Sequence, residues 1–346
     1  MRIPLAPLGV VGALGLLLVI MGGLATLARG GDDLGSRNIA PILLWVYFWL
    51  VVPFLGAVVG NLYTGINPWR SLSRWLGLGE RERSDLLVKI GLWPGTFLLL
   101  AFTWIELVYP NSADPASIAV AAIAYTVFLL GLIARFGRDN ALTSFDAFTT
   151  YNRLISSLSP FGRTRQGRLI RRGWLRALPA LPEHKGLAGF LVVMIGTVSF
   201  DGLSATTWWE SAMGSFGSTV MGRTLLLVMM CLLIGGAYYL ACSIAVRLGG
   251  GARTVAEVAS RFAHTLVPIA FAYAFAHYFT LVIFEGQSII SAASDPFGLG
   301  WDLFGTRDYK VNFFLGAIPV WYVQVGAIVL GHLAGVVLAH DRALAD

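Results

Sequence analysis

Eight stretches of this chain are long and apolar enough to cross a bilayer, and that constrains its fold more than any other feature. A spanning helix needs about 20 predominantly apolar residues. The segments 5–27, 39–60, 89–109, 116–135, 187–204, 223–246, 262–284 and 316–339 approach or exceed that length. Hydrocarbon offers the backbone no hydrogen-bond partner, so spans of this kind close their bonds within a helix. The expectation is an all-α, polytopic transmembrane helical bundle of about eight spans, forming a single domain over residues 1–346. Composition agrees. Only 13% of residues are charged and 56% are hydrophobic, whereas a soluble domain carries roughly 25% charged residues. One core cannot hide that excess, so the lipid bilayer is the first expected partner.

The first span has a second reading. Gly23-Leu24-Ala25 resembles a signal-peptide cleavage site, but the apolar run from Ile3 to Leu27 outlasts the ~7–15 residues of a usual signal core. The sequence favours a retained span.

Loop charge sets the orientation. With the N-terminus inside, the inside segments hold Arg2, then Arg70, Arg74, Arg81, Arg83 and Lys89, then ten cations from Arg135 to Lys185, then Arg247, Arg253 and Arg261, and finally Arg342. That is 20 of the 25 Lys and Arg; the outside holds Arg29, Arg37, Arg223, Arg307 and Lys310. The positive-inside rule then puts both termini in the cytoplasm of a cell whose inner (plasma) membrane holds the protein. The net charge of +6 is gathered in these loops and is no nucleic-acid signal.

Within the inside loop 136–186, Phe145, Phe148, Leu154, Ile155 and Leu158 recur at helical spacing until Pro160. This predicts an amphipathic helix on the inner leaflet. The basic run Arg163–Arg176 would meet anionic headgroups at ~1 kcal/mol per charge, as a topology anchor or a lipid sensor. Gly56-x-x-x-Gly60 and Gly331-x-x-x-Gly335 predict close helix packing. His332, inside the second motif, is expected beside a neighbouring helix rather than lipid. Cys231 and Cys242 lie eleven apart on one span, too far for a disulfide within a helix, and read as buried small residues.

Four of the five histidines fall in the last two spans. Ionisable groups in hydrocarbon are costly and are by default functional candidates. At ~1.5 Å per residue, they sort by depth. His277 lies in the outer third with Tyr273 one turn away, Gln324 is in the outer half of the last span, and Glu285 and Gln287 follow at the outer surface. Glu106 and Asp201 end two other spans on the same side. Imidazole with carboxylates suits a divalent metal held by His277, Asp201, Glu106 and Glu285, a proton relay, or a general acid–base pair including Tyr273. Alternatively, acids at span ends simply touch headgroup water. The inner set is His264, His332 and His340. His264 and His277 are thirteen apart, a spacing by which one helix offers axial ligands to two stacked haems. The last span has no histidine facing the outer level, so one haem at most could form, at the inner level. Pro268 between them predicts a kink.

No Walker A loop, His-Glu-x-x-His, Cys-x-x-Cys or Gly-x-Ser-x-Gly occurs, which disfavours ATP-driven transport and soluble-type hydrolase chemistry.

Several segments together carry a resemblance: Phe-Thr-Trp-Ile-Glu-Leu-Val-Tyr-Pro-Asn from Phe102, Ser-Leu-Ser-Pro-Phe-Gly-Arg from Ser157, Ile-Gly-Thr-Val-Ser-Phe-Asp-Gly from Ile195, His-Thr-Leu-Val-Pro-Ile-Ala from His264, Ser-Asp-Pro-Phe-Gly from Ser294, Trp-Tyr-Val-Gln-Val from Trp321, and Ala-His-Asp-Arg-Ala-Leu ending at Leu344. Over about Ile39–Leu344 the chain resembles a bacterial integral membrane family, common in actinobacteria, known as fenitrothion hydrolase. The resemblance implies hydrolysis of an organophosphorus ester but assigns no catalytic residue. Members of that family often continue after this last stretch into a further span, which would bear on the surroundings of His332.

Three functions follow. One is a membrane-embedded hydrolase acting on a small-molecule substrate through the outer residues. The second is a proton- or metal-coupled permease, for which Pro53, Pro94, Pro268 and Pro319 offer helix breaks. The third is a subunit of a redox or assembly complex, with a membrane-protein partner, binding haem, copper or quinone through His264, His332 and His340.

Overall fold

The computed structural model describes residues 5–29, 38–80, 89–163, 169–250 and 253–345. Of the cations that orient the chain, Arg2, Arg37, Arg81, Arg83, Arg165 and Arg168 lie outside them. The fold is all-α. Among the described residues seven helices are long and apolar enough to span a membrane: α1 (Pro7–Leu27 of the helix Leu5–Leu27), α2 (Ile39–Val59), α6 (Pro115–Phe136), α9 (Leu187–Ser204), α11 (Val220–Leu248), α12 (Val255–Ile283) and α14 (Ala317–Ala345). The protein is a multi-pass membrane protein. The expected third span is shorter than the sequence suggests: α5 covers Trp93–Leu107, 15 residues, or about 22 Å at ~1.5 Å per residue. The chain turns at Gly91 with φ +60, where Leu92 N–H donates to the Lys185 carbonyl at 2.8 Å, so the residues before Trp93 do not extend it.

The helices cluster into two compact units. One draws on Met1–Ser84, Asn111–Arg172 and Tyr278–Tyr322, the other on Asp85–Pro110, Gly173–His277 and Val323–Asp346. Each is assembled from three separate stretches, so the sequence shows no linker between them.

In unit 1, α1 packs along α6. Gly23 lies against the Pro115 carbonyl and Ala119, and Gly12 lies against Ile66; no side chain fits at either contact, so the backbones meet directly. Asn38 caps α2, accepting from Ala40 N–H at 2.9 Å and donating to the Gly22 carbonyl at 2.8 Å. Inside α2, Ile42–Val51 is π-helical, next to Pro53, whose missing N–H disturbs the ordinary ladder. Gly60 stops the helix with φ +96; a Cβ at Gly56 would lie 3.7 Å from Ser156 and one at Gly60 3.4 Å from the Phe161 carbonyl, so both glycines of the first motif face the segment 156–161.

Four short helices follow the spans of this unit: α3 (Tyr63–Ile66), α4 (Pro68–Trp75), α7 (Arg138–Ser144) and α8 (Ala147–Ser156). The helix expected on the inner leaflet is α8, and its position differs from that expectation. Eight of its ten residues are buried, and it packs against α2 and α3. Trp49 stacks on Tyr151 at 4.5 Å, and Phe148 meets Phe48 edge-on at 4.7 Å. Its polar face is buried because Thr150, Asn152 and Ser156 bond to nearby carbonyls. A short hairpin, β1 (Phe161–Arg163) with β2 (Leu169–Arg171), follows it. Arg172 then folds back onto the carbonyls of Ser156, Ser157 and Ser159 at 3.1, 3.3 and 3.0 Å. This cation of the basic run therefore caps a helix C-terminus instead of meeting headgroups; the burial lowers the pKa of its guanidinium.

In unit 2, α5, α9 and α11 pack together. Cys231 approaches Gly196 so closely that a Cβ there would lie 2.8 Å from the Cys231 backbone; both cysteines are free and buried. Phe200, Trp209, Val108, Leu226 and Leu227 form the core at one end. Trp104 donates to Thr224 at 2.9 Å, and Arg223 donates twice to the Leu107 carbonyl at 3.1 and 2.8 Å while lying 5.5 Å over the Phe200 ring. Capping the end of α5 thus occupies a cation that charge counting had treated only as topology. The span α12 is broken at Ala263–Leu266, a 3₁₀ turn just before Pro268. Gly331 and Gly335 of α14 sit on that break, against Pro268, Ala272, Thr265 and Ile269, as the second glycine motif predicts.

Candidate functional site: an Asp–His pair in unit 2

Asp201 lies in the last turn of α9, three residues before the helix ends at Ser204. A carboxylate there meets the negative end of the helix dipole, so it gains from a donor. The donor is His277 on α12, whose Nε2–H donates to Asp201 Oδ2 at 2.7 Å, the length of a charge-assisted bond. The side chains are 26% and 25% exposed, which leaves the pair reachable while most of its surface is out of water. Gly202, the next residue of α9, faces the other ring nitrogen: a Cβ there would lie 3.6 Å from Nδ1. Gln324 of α14 donates to the carbonyl of Ala276, beside His277, at 2.8 Å. Three helices, α9, α12 and α14, therefore meet here, and of the three acids expected near His277 the one bonded to it is Asp201.

The wider metal site does not form. Among the described residues no three of His, Cys, Asp and Glu gather closely enough to hold a metal ion. Glu106 stays on the last turn of α5. Glu285 lies in unit 1, in the 3₁₀ turn Glu285–Ser288. Tyr273 stands one turn before His277 on α12.

The inner histidines do not face one another. His264 is buried, with Nδ1–H donating to the Arg261 carbonyl at 2.9 Å, and its Nε2 has no hydrogen-bond partner among the described residues. His332 is exposed and bonds back along its own helix to the Ile328 carbonyl at 2.8 Å. It therefore points away from the glycine contact, not into a neighbouring helix as expected: Gly331 and Gly335 take the packed face. His340 is exposed as well. Two facing imidazoles at one level, which a haem would need, are not present among these three.

Unit 1 holds a polar centre that the sequence reading passed over. Asp146 is fully buried at the N-cap of α8. It accepts from Thr149 Oγ1 at 2.6 Å, Asn67 Nδ2 at 3.0 Å, Tyr125 OH at 3.0 Å, Tyr63 OH at 3.4 Å and Phe148 N–H at 3.1 Å. Burial raises its pKa despite these donors, and burial followed by the nearby carboxylate pushes the Tyr63 phenol well above its usual value. Every contact to Asp146 is a donor, so the centre is built to hold one carboxyl. It ties α3, α4, α6 and α8 together. The signal was present: Asn67-Pro68 and Asp146-x-x-Thr149 are both helix-start patterns.

Fold and site together define an all-α, multi-pass membrane protein with a carboxylate–imidazole pair, Asp201 and His277, between two of its helices. No family model, curated protein or solved structure matches the chain.

Proposed function

We propose that this chain is a plasma-membrane hydrolase of small, apolar phosphorus esters, with Asp201 and His277 as its reacting pair. The bond between them is the observation that carries the reading. A carboxylate holding Nε2–H fixes the tautomer and leaves Nδ1 as the basic nitrogen. In the step we infer, water gives a proton to Nδ1 while its oxygen bonds to phosphorus. The bond from phosphorus to the leaving aryloxide breaks with its electron pair, and the imidazolium returns its proton to solvent. Such base catalysis is worth about 10²–10⁴-fold. The resemblance to the fenitrothion hydrolase family supplies the substrate class. With two potential ligands close together rather than three, the pair suits direct base catalysis better than a resident metal.

The test is release of nitrophenol from a nitrophenyl phosphorus ester by the protein purified in nanodiscs. Full activity in His277→Ala would remove the proposed base. Loss of activity on adding a chelator would return the metal reading.

A second reading, a proton-coupled permease, draws on the break in α12. A span interrupted by a 3₁₀ turn and Pro268, with a titratable pair further along it, resembles the construction of secondary transporters. Uptake into proteoliposomes that ignores an imposed pH gradient would count against it. Loop charges favour both termini in the cytoplasm, a reading that requires α5 to cross along with the seven long helices. Reporter fusions at the two ends would test that.

A further inference from the structure

We propose that residues 295–316 form a membrane-interface anchor: a rigid loop that lays Trp301, Leu303, Phe304, Phe313 and Phe314 into the lipid headgroup layer beside the start of α14. This rests only on the multi-pass fold and is independent of the reaction proposed above.

Hydrogen bonds within the loop and to Gln287 fix its backbone. Buried Ser294 donates to Asp302 Oδ1 at 2.9 Å and accepts from Phe304 N–H at 3.0 Å. Buried Asp295 accepts from the N–H groups of Leu299 and Gly300, both at 2.7 Å. Asp302 also accepts from Arg307 N–H at 3.0 Å. Gln287 reaches across: its Oε1 accepts from Tyr309 OH and Asn312 N–H at 3.0 Å each, and its Nε2 donates to the Asn312 carbonyl at 2.9 Å. With the backbone fixed at these points, the apolar side chains cannot tuck inward without breaking several bonds.

Those side chains point out. Phe304 is 70% exposed and Phe313 69%, with Phe314, Leu303 and Trp301 also exposed. Rings of this size make the surface on the order of 500 Å², near the upper limit of patches that a protein leaves to water.

Position and charge select lipid as the occupant. The loop runs directly into α14, whose first turns also expose Ile318, Trp321 and Tyr322 on a helix long enough to span. Trp and Tyr at the mouth of a span are the composition of the interfacial belt, and the Phe rings add apolar area beside them. Arg307 and Lys310 are balanced by Asp302 and Asp308, so the surface exerts no net attraction on anionic headgroups. Its insertion therefore depends on apolar area and proceeds in zwitterionic lipid.

The experiment places a nitroxide at Phe304→Cys and, separately, at Phe313→Cys, in full-length protein in phosphatidylcholine nanodiscs. The two native cysteines are buried, and the labelled parent protein sets the background. Collision with oxygen and with a water-soluble nickel chelate reports the surroundings, and Asp308→Cys serves as the water-facing reference. Oxygen accessibility that exceeds nickel accessibility at both sites, several-fold relative to Asp308→Cys, is the expected result. Nickel dominating at both sites would put the loop in water. Protection from both reagents would show that protein covers it. Either outcome overturns the proposal.

Discussion

His277 and Asp201, 76 residues apart in the chain, share a hydrogen bond of 2.7 Å between two spanning helices. A bond of this length at partial burial fixes ring orientation and tautomer together. His277→Ala should lower ester hydrolysis by about 10²–10⁴-fold. Asp201→Asn should do much the same, because the two act as a unit, and the double variant should be little worse than either single one. Initial rates of nitrophenol release from equal amounts of folded protein decide it; additive losses would separate the two roles.

Gly202 should reveal which side of the imidazole works. A methyl group there would meet Nδ1 at an ordinary 3.6 Å, so Gly202→Ala fits and gains ~0.5–1 kcal/mol of helix stability. The same methyl group covers the basic nitrogen. The expected outcome is an equal or higher melting temperature with slower turnover, and slower still for Gly202→Val. Unchanged turnover in both would place the working face elsewhere.

Asp146 is predicted to govern the stability of unit 1. Asp146→Ala would leave Tyr63, Asn67, Tyr125, Thr149 and Phe148 N–H without their acceptor, at ~1–3 kcal/mol for each buried group left unpaired. Failure to fold, or a melting temperature lower by ten degrees or more, should result. The pH dependence has a definite sign. Burial raises the folded pKa of Asp146, so the folded state holds the proton more tightly than the unfolded state. Its contribution is greatest below the unfolded value, near 4, and is lost as pH rises from there through the raised folded value. Melting curves against pH should show this loss in the native chain and lack it in Asp146→Asn.

Two residues of α14, one position apart, should behave oppositely. Gly331 lies against Pro268 and Ala272, so Gly331→Leu should destabilise by at least ~1–3 kcal/mol through overpacking. His332 is exposed and bonds only its own helix; His332→Ala, like His340→Ala, should change stability and turnover little. Thermal melts and nitrophenol assays of the three variants check this.

Arg172→Ala should loosen the end of α8. Three carbonyls, of Ser156, Ser157 and Ser159, would lose their donor, at roughly 1–3 kcal/mol. Earlier proteolysis after Ser159 would be the readout.

The sequence by itself determined the class of fold. Long apolar runs in a chain poor in charge leave the backbone no option but helices, and this is a local property that survives any tertiary arrangement. It also determined the level at which His277 and Asp201 lie, because depth along a helix is residue number multiplied by rise. The glycine contact of α14 was readable for the same reason. What the tertiary structure decided is azimuth and partnership. Whether His332 faces the packed side or the open side depends on which face the neighbouring helix takes, and Gly331 and Gly335 took it. Whether an outer acid joins His277 depends on which helices pack side by side, and that packing brought Asp201 of α9 to it. Whether α8 rests on lipid or is enclosed depends on Asn67, Tyr63 and Tyr125 arriving from distant parts of the chain to satisfy Asp146. A polar helix can be buried only when its partners are present, and periodicity alone carries no record of them.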